Sequence, residues 1–193
     1  MKKIILCFIA FFFSFNYCSA IAKENDKKLK ALYQDLLHRN EIIERVNGIG
    51  ICADTRDWKG VISCFADKVL LDYTSMVGGQ PVELTPAVIV SSWKGLLPGF
   101  KMTQHQITNH RVKINDDEAD CFSYVTAIHH LPNKSGKDTW TVWGYYNHHL
   151  IKKDAGWKVA KMKFTLKLIE GNRSLPQLAK KVMAERAKKA RSK

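Results

Sequence analysis

The C-terminal half of the chain constrains the fold most. Four long segments, Met102 to Ile114, Ala119 to His130, Thr139 to Lys152 and Trp157 to Leu168, mix apolar and polar residues in near alternation. A period of two sends successive side chains to opposite faces of a strand, so each segment reads as a strand with one face on a core. The separators are turn formers: Asn115-Asp116-Asp117, Asn133-Lys134-Ser135-Gly136 and Asp154-Ala155-Gly156. Such short connections join antiparallel neighbours, so successive hairpins are expected. Val69 to Tyr73 adds a shorter strand upstream.

The residues before the strands have helical spacing. Leu29, Leu32, Tyr33, Leu36 and Leu37 continue into Ile42, Ile43, Val46 and Ile49, with Gly48 and Gly50 weakening the pattern. One long or broken helix is expected there. Asp57 is placed to cap a short helix through Trp58, Val61, Ile62 and Phe65, and Thr85-Pro86 opens another through Leu96. Helices first and strands after predict an α+β domain. With 193 residues, 46% of them apolar, the chain fills one core of ordinary size rather than two.

Both ends differ from this middle. Lys2 and Lys3, an apolar run from Ile4 to Phe15 and the small residues around Ser19, Ala20 and Ala22 read as a secretory signal over residues 1–22. The run falls short of the roughly 20 residues that span a bilayer, so a soluble secreted or periplasmic protein is expected. Residues 23–40 then form a helical lead, 41–172 the domain and 173–193 a tail. Cleavage leaves Cys52, Cys64 and Cys121, an odd number that allows one bridge at most; they are expected as small buried hydrophobes, with Cys52 to Cys64 as the alternative.

The net charge of +13 is concentrated in the tail, where residues 173–193 hold eight Lys or Arg against Glu185 alone. A capping box of Ser174 with Gln177 precedes a stripe of Leu175, Leu178, Ala179, Val182 and Met183, the pattern of a basic amphipathic helix. It is expected to dock by that stripe, or to meet an anionic membrane surface or acidic partner. No aromatic residue interleaves the basic run, so nucleic acid is not an expected partner.

Six of the seven histidines lie between His105 and His149. Parity sets His129 with Ser123, Val125 and Ala127, away from His130, and sets Trp143, Tyr145, Asn147 and His149 opposite Tyr146 and His148. Adjacent His-His pairs in a regular strand cannot share one metal, so no metal site is expected. Taken singly these residues have plain roles: Asp54 pairing with Arg56 or Lys59, Tyr73 and Trp143 as core aromatics, and His110, His148 and His149 as exposed strand residues.

Taken together they carry a resemblance. Ala53-Asp54-Thr55-Arg56-Asp57-Trp58, Asp72-Tyr73, Thr103-Gln104-His105 and Gly156-Trp157-Lys158 occur in an order that resembles the SnoaL-like group of the nuclear transport factor 2-like superfamily, over roughly Glu41 to Leu168. The resemblance implies a cone of strongly curved antiparallel sheet around a pocket, with about three helices at its mouth. The group includes dehydratases, isomerases, cyclases, epoxide hydrolases and proteins without catalysis. Its scytalone dehydratases are the most similar in motif, which implies Asp54, Tyr73, His105, His129 and Asn147 as pocket residues. Ala53 and Tyr145 depart from that pattern, so a substrate with a different arrangement of hydroxyls is expected.

The chemistry of these side chains fits a cofactor-independent dehydratase or isomerase. Loss of water beside a carbonyl needs a base for the α-proton, a donor for the developing enolate and an acid for the departing hydroxide. Asp54 with His105 supplies the proton transfers, Tyr73 the donor and His129 completes the catalytic set, while Asn147, Tyr145 and Trp143 are expected to hold substrate. The alternative is a small-ligand-binding or interaction module on the same cone, with a homodimer through the open sheet face.

Overall fold

A computed structural model describes the backbone of residues 2–192 and the side chains of residues 23–192. The side chains of the expected signal, 1–22, lie outside the described residues. The chain divides into two compact units, residues 1–40 and 41–193. A helix, α1, runs Lys2–Thr55 and supplies all of the first unit and the opening segment of the second. Within the first unit the stripe Leu29, Leu32, Tyr33 and Leu36 is exposed. Gly48 and Gly50 do not break the helix.

The second unit is α+β. After α1 come α2 (Trp58–Cys64), β1 (Phe65–Asp72), α3 (Thr74–Val77), β2 (Val82–Leu84) and α4 (Pro86–Lys94). A 3-10 turn at Leu97–Gly99 leads into β3 (Met102–Asn115), β4 (Glu118–His130), β5 (Thr139–Lys153), β6 (Gly156–Gly171) and α5 (Leu175–Arg191). The sheet order is β2-β1-β6-β5-β4-β3. Strands β3 to β6 form the expected antiparallel meander. The pairing of β1 with β6 is parallel, with Leu71 beside Met162, and was not expected. Strand β2 and helix α3 were also not expected; at three and four residues they are too short for a periodic signal.

Local chemistry explains the helix ends. The Asp57 carboxylate accepts the Gly60 N–H at 2.9 Å and starts α2. At α3 the Asp72 carboxylate accepts both the Thr74 N–H and its hydroxyl, at 3.1 and 2.7 Å. Ser75 ties α3 to β6, donating to the Phe164 carbonyl at 2.8 Å and accepting the Leu166 N–H at 2.9 Å. That anchor fixes the adjoining Tyr73. The expected capping box of α5 does not form: the Ser174 side chain makes no cap bond, and its carbonyl instead accepts the Gln177 and Leu178 N–H groups at 3.1 Å. The start of α5 is docked all the same, with Leu175 and Ala179 fully buried.

Bulges interrupt β3 between Thr108 and Arg111 and β6 at Lys167, opposite Trp143/Gly144, and at Ala160, opposite His149/Leu150. Bulges bend a sheet and increase its twist, and here the sheet curves without closing. Gly144 permits one of these bends, since a Cβ there would collide with the Thr165 carbonyl and the Phe164 ring. The core lies on the concave side, where Val46, Ile49 and Ala53 of α1 face Val125 and Ala127 of β4, Val142 and Leu150 of β5 and Val159, Met162 and Phe164 of β6. The described cysteines are free; Cys64 and Cys121 are buried and Cys52 is half-buried.

Candidate active site

The concave side encloses a cavity of about 290 Å³, near the lower end, about 300 Å³, of small-molecule sites. Its wall is mostly apolar, including Val46, Ile49, Leu71, Met76 and Phe164, with His105, His129, Tyr73, Tyr146 and His148 as its hydrogen-bonding side chains of interest.

At one end Asp54 takes two hydrogen bonds from one residue. Its Oδ2 accepts the His105 backbone N–H at 2.6 Å, and its Oδ1 lies 2.8 Å from His105 Nδ1. A carboxylate on Nδ1 holds that nitrogen as the donor and leaves Nε2 as the basic one. The helix can come this close because of Gly50, whose added Cβ would stand 3.1 Å from His105 Cβ and 3.2 Å from Ile107 Cδ1. Burial pushes the Asp54 carboxyl up, but the His105 ring bond, the His105 charge, its backbone N–H and the Thr103 hydroxyl together outweigh burial and hold it below its ordinary value.

Arg56 fastens this end. It takes a left-handed φ of 64°, which ends α1, and its guanidinium donates to the Ala53 carbonyl at 2.6 Å, Thr103 Oγ1 at 2.9 Å and the Leu97 carbonyl at 2.6 Å. Sequence reasoning placed Arg56 only as a helix-surface partner of Asp54. Its position in the family-like run was the available signal for this bridging role.

His129 adjoins the pair, its ring edge-on to His105 at 5.7 Å between centroids. It packs on Trp140 at 4.5 Å, and its Nδ1 lies 3.3 Å from the Trp140 carbonyl. Burial first, and the neighbouring His105 second, push its pKa down to about 4. His129 is therefore neutral near pH 7.

Tyr73 and Tyr146 form a second polar feature, with their hydroxyls 3.3 Å apart and both rings against Phe164. One hydroxyl donates to the other, and the acceptor keeps its own O–H for a ligand. Burial leads in pushing Tyr73 well above its usual value and Tyr146 to about 12. Both stay protonated donors.

The structure thus brings His105, His129 and Tyr73 to one cavity, with Asp54 held behind His105. It does not bring Asn147, Tyr145 or Trp143 to it. Along β5 the inward side chains are Trp140, Val142, Tyr146, His148 and Leu150, and the three expected substrate residues project from the opposite face. There Asn147 joins Arg111, Lys161 and Lys163 in a shallow basic groove. The parity was read correctly and the wrong face was turned inward. Trp140, Val142 and Leu150 were the usable signal, since they share parity with Tyr146 and His148. His148 is likewise corrected from exposed to 2% exposed, while His149 stays on the outer face with its Nδ1 3.0 Å from Asp120. Among the described residues no three His, Cys, Asp or Glu side chains are grouped to hold a metal ion.

Comparisons place this architecture. The crystal structure of the Kfla4162 protein from Kribbella flavida is 27% identical, with a TM-score of 0.69 over 75% of this chain and 98% of that one. A candidate scytalone dehydratase from Novosphingobium aromaticivorans has the same fold at 16% identity, TM-score 0.62, covering 72% and 90% of the two chains. So does the LinA-type3 hexachlorocyclohexane dehydrochlorinase from Novosphingobium barchaimii, at 16% identity, TM-score 0.59, 72% and 92%. No curated protein matches the sequence. The family model for the SnoaL-like domain matches residues 34–163. With its curved α+β sheet and that match, the chain belongs to the SnoaL-like family of the nuclear transport factor 2-like superfamily.

Proposed function

We propose that the 41–193 unit is a cofactor-independent dehydratase or isomerase for a small hydroxylated carbonyl compound. The observation that carries this reading is the double hydrogen bond from His105 to Asp54 at the wall of a largely apolar cavity. His105 Nε2 takes the α-proton. The Tyr73–Tyr146 pair donates its one free O–H to the carbonyl oxygen as it becomes an enolate, and Asp54 stabilises the imidazolium. The imidazolium then returns the proton to the β-hydroxyl, which departs as water while the enolate electrons form the C=C bond. Return of the proton to a different carbon gives isomerisation instead. His129, neutral and fixed by the Trp140 carbonyl, orients the substrate. Dehydrochlorination and dehydration at neighbours of this fold lend the reading support, both being eliminations.

Export through residues 1–22 and contact of the tail with an anionic surface belong to the same proposal. Arg186 of α5 donates to the Pro98 carbonyl at 2.7 Å on the docked side of Leu175 and Ala179, while Lys180, Lys181, Lys188 and Arg191 are exposed.

The test is a screen of β-hydroxy cyclic ketones against the mature protein, following enone absorbance, with Asp54→Asn as control. Turnover that collapses in the variant supports the reading. Ligands that bind the cavity without any turnover replace it with a binding module.

A further inference from the structure

A second polar group of residues lies further along the concave face, apart from Asp54 and His105. His148 is 2% exposed and lines the cavity, and neither Nδ1 nor Nε2 has a hydrogen-bond partner among the described residues. Ser123 is fully buried with its Oγ unpartnered, and the buried Nε2 of His110 is unpartnered too. These three side chains come from three adjacent strands. Ser123 is beside Tyr146, Cys121 is beside His148, and the bulge after Thr108 turns His110 to the same side. His110 is near enough to His148 to disfavour its protonation.

Buried polar groups are nearly always satisfied, and one left without a partner costs about 1–3 kcal/mol. Four such atoms on one patch of one concave face are unusual for packing alone. Their setting is also distinct from the first polar end. Val142 lies level with His105 through Ala127, whereas His148 is six residues further along β5, with Tyr146 between them and its ring tilted against His148 at 5.1 Å.

We propose that His148, with Ser123 and His110 beside it, forms a second ligand subsite that takes an uncharged hydroxyl or carbonyl at the far end of the molecule held by Asp54 and His105. The occupant is uncharged for a geometric reason: the patch contains no carboxylate, lysine or arginine, and its walls are Tyr146, Met162 and Phe164. Of the three, His148 lines the cavity, and its neutral imidazole offers one donor and one acceptor, which a hydroxyl or carbonyl matches, with Ser123 and His110 behind it as further partners. Burial, followed by His110, pushes the His148 pKa down to about 3, which keeps that imidazole neutral. The ligand class that follows is an elongated molecule with an apolar middle and a polar group at each end. This deepens the proposed function, and it rests on that reading only for the cavity being the ligand site, not for turnover.

The test uses two probes, 2-naphthol and 2,6-dihydroxynaphthalene, which differ by one distal hydroxyl. Binding to the full mature protein is measured by calorimetry. The diol is expected to bind about five- to tenfold more tightly, the worth of one buried hydrogen bond. His148→Phe should reduce the diol to the affinity of 2-naphthol, and Ser123→Ala should do so in part. The second variant keeps the test alive if the first does not fold. Equal affinity for the two probes, binding of neither, or a preference that survives in both variants overturns the subsite. Asp54→Asn separates the two ideas: it should leave the preference for the diol in place while turnover of β-hydroxy ketones collapses, and if turnover is absent or unaffected by Asp54→Asn while His148→Phe removes the preference, the subsite stands and the catalytic reading falls.

Discussion

Asp54 accepts two hydrogen bonds from His105, one from the backbone N–H at 2.6 Å and one from the ring at 2.8 Å. The backbone bond positions the carboxylate on β3 independently of the ring, so the ring bond selects the tautomer rather than the location. Asp54→Asn keeps an acceptor but adds an amide that competes to donate, which permits the wrong imidazole tautomer. A loss of about 10²- to 10⁴-fold in kcat/KM is expected on any compound the protein dehydrates, with little change in KM. Steady-state kinetics checks it, and a loss confined to KM would count against the proton-transfer role.

Gly50 makes that contact reachable. A Cβ at this position would press on His105 and Ile107, so Gly50→Val must part α1 from β3 or displace the histidine. Overpacking of this kind costs about 1–3 kcal/mol, and activity should fall more than stability alone explains. Urea unfolding beside kinetics at a temperature where the variant is folded would show it. A variant of normal activity would mean that the helix yields without moving Asp54.

The meander was legible in the sequence, and so were four residues that the fold brings to or behind the cavity. Alternation with three turn clusters marks β3 to β6, and a short motif run marks Asp54, His105 and Tyr73. His129 followed from parity because Ser123, Val125 and Ala127 make its face of β4 plainly the inner one. On β5 both faces carry aromatics, Trp140 and Tyr146 on one and Trp143 and Tyr145 on the other, so alternation alone does not choose. The choice comes from curvature, set by bulges that depend on the neighbouring strands. The parallel pairing of β1 with β6 is hidden for a similar reason, being a contact between segments about 90 residues apart in sequence. The bridging role of Arg56 is hidden because two of its three acceptors, the Thr103 hydroxyl and the Leu97 carbonyl, are brought to it only by the fold.

The orientation of β5 has a direct consequence. Asn147→Ala removes a side chain from the outer face and should leave kcat/KM within about twofold, as surface substitutions usually do. Tyr146→Phe removes a hydroxyl that faces the cavity and should cost about tenfold or more. The two variants measured on one substrate form the check. The reverse ranking would mean that β5 presents its other face to the ligand.

The tail is docked by its first turns. Leu175 is fully buried, and a Cβ on Gly99 would strike the Ala179 backbone. Leu175→Ala should cost about 2–5 kcal/mol, and Gly99→Val should release α5 to proteolysis. Limited trypsin digestion reads this through the many Lys and Arg of α5. Equal digestion rates in wild type and variants would show that the docked start does not protect the helix.

Two buried histidines make stability depend on pH in a defined direction. His129 and His148 have folded values of about 4 and about 3, both below the ordinary 6.5. Above pH 6.5 both are neutral whether folded or not, and nothing is lost. As pH falls below 6.5 the unfolded chain takes up protons that the folded one refuses, so stability drops until the folded values are reached. Each histidine contributes a slope of about 1.4 kcal/mol per pH unit within that window. Asp54, with its folded value lowered, acts in the same direction but lower, its stabilisation being lost as pH falls below the unfolded carboxyl value of about 4. From pH 6.5 down to about 4 the histidine effect therefore acts alone. Urea unfolding at pH 7, 6 and 5 should show a steep loss in wild type, and His148→Phe should remove about half of that slope. A wild-type stability that is flat from pH 7 to 5 would mean that the two rings take up protons when folded, through water or a partner group that reaches them.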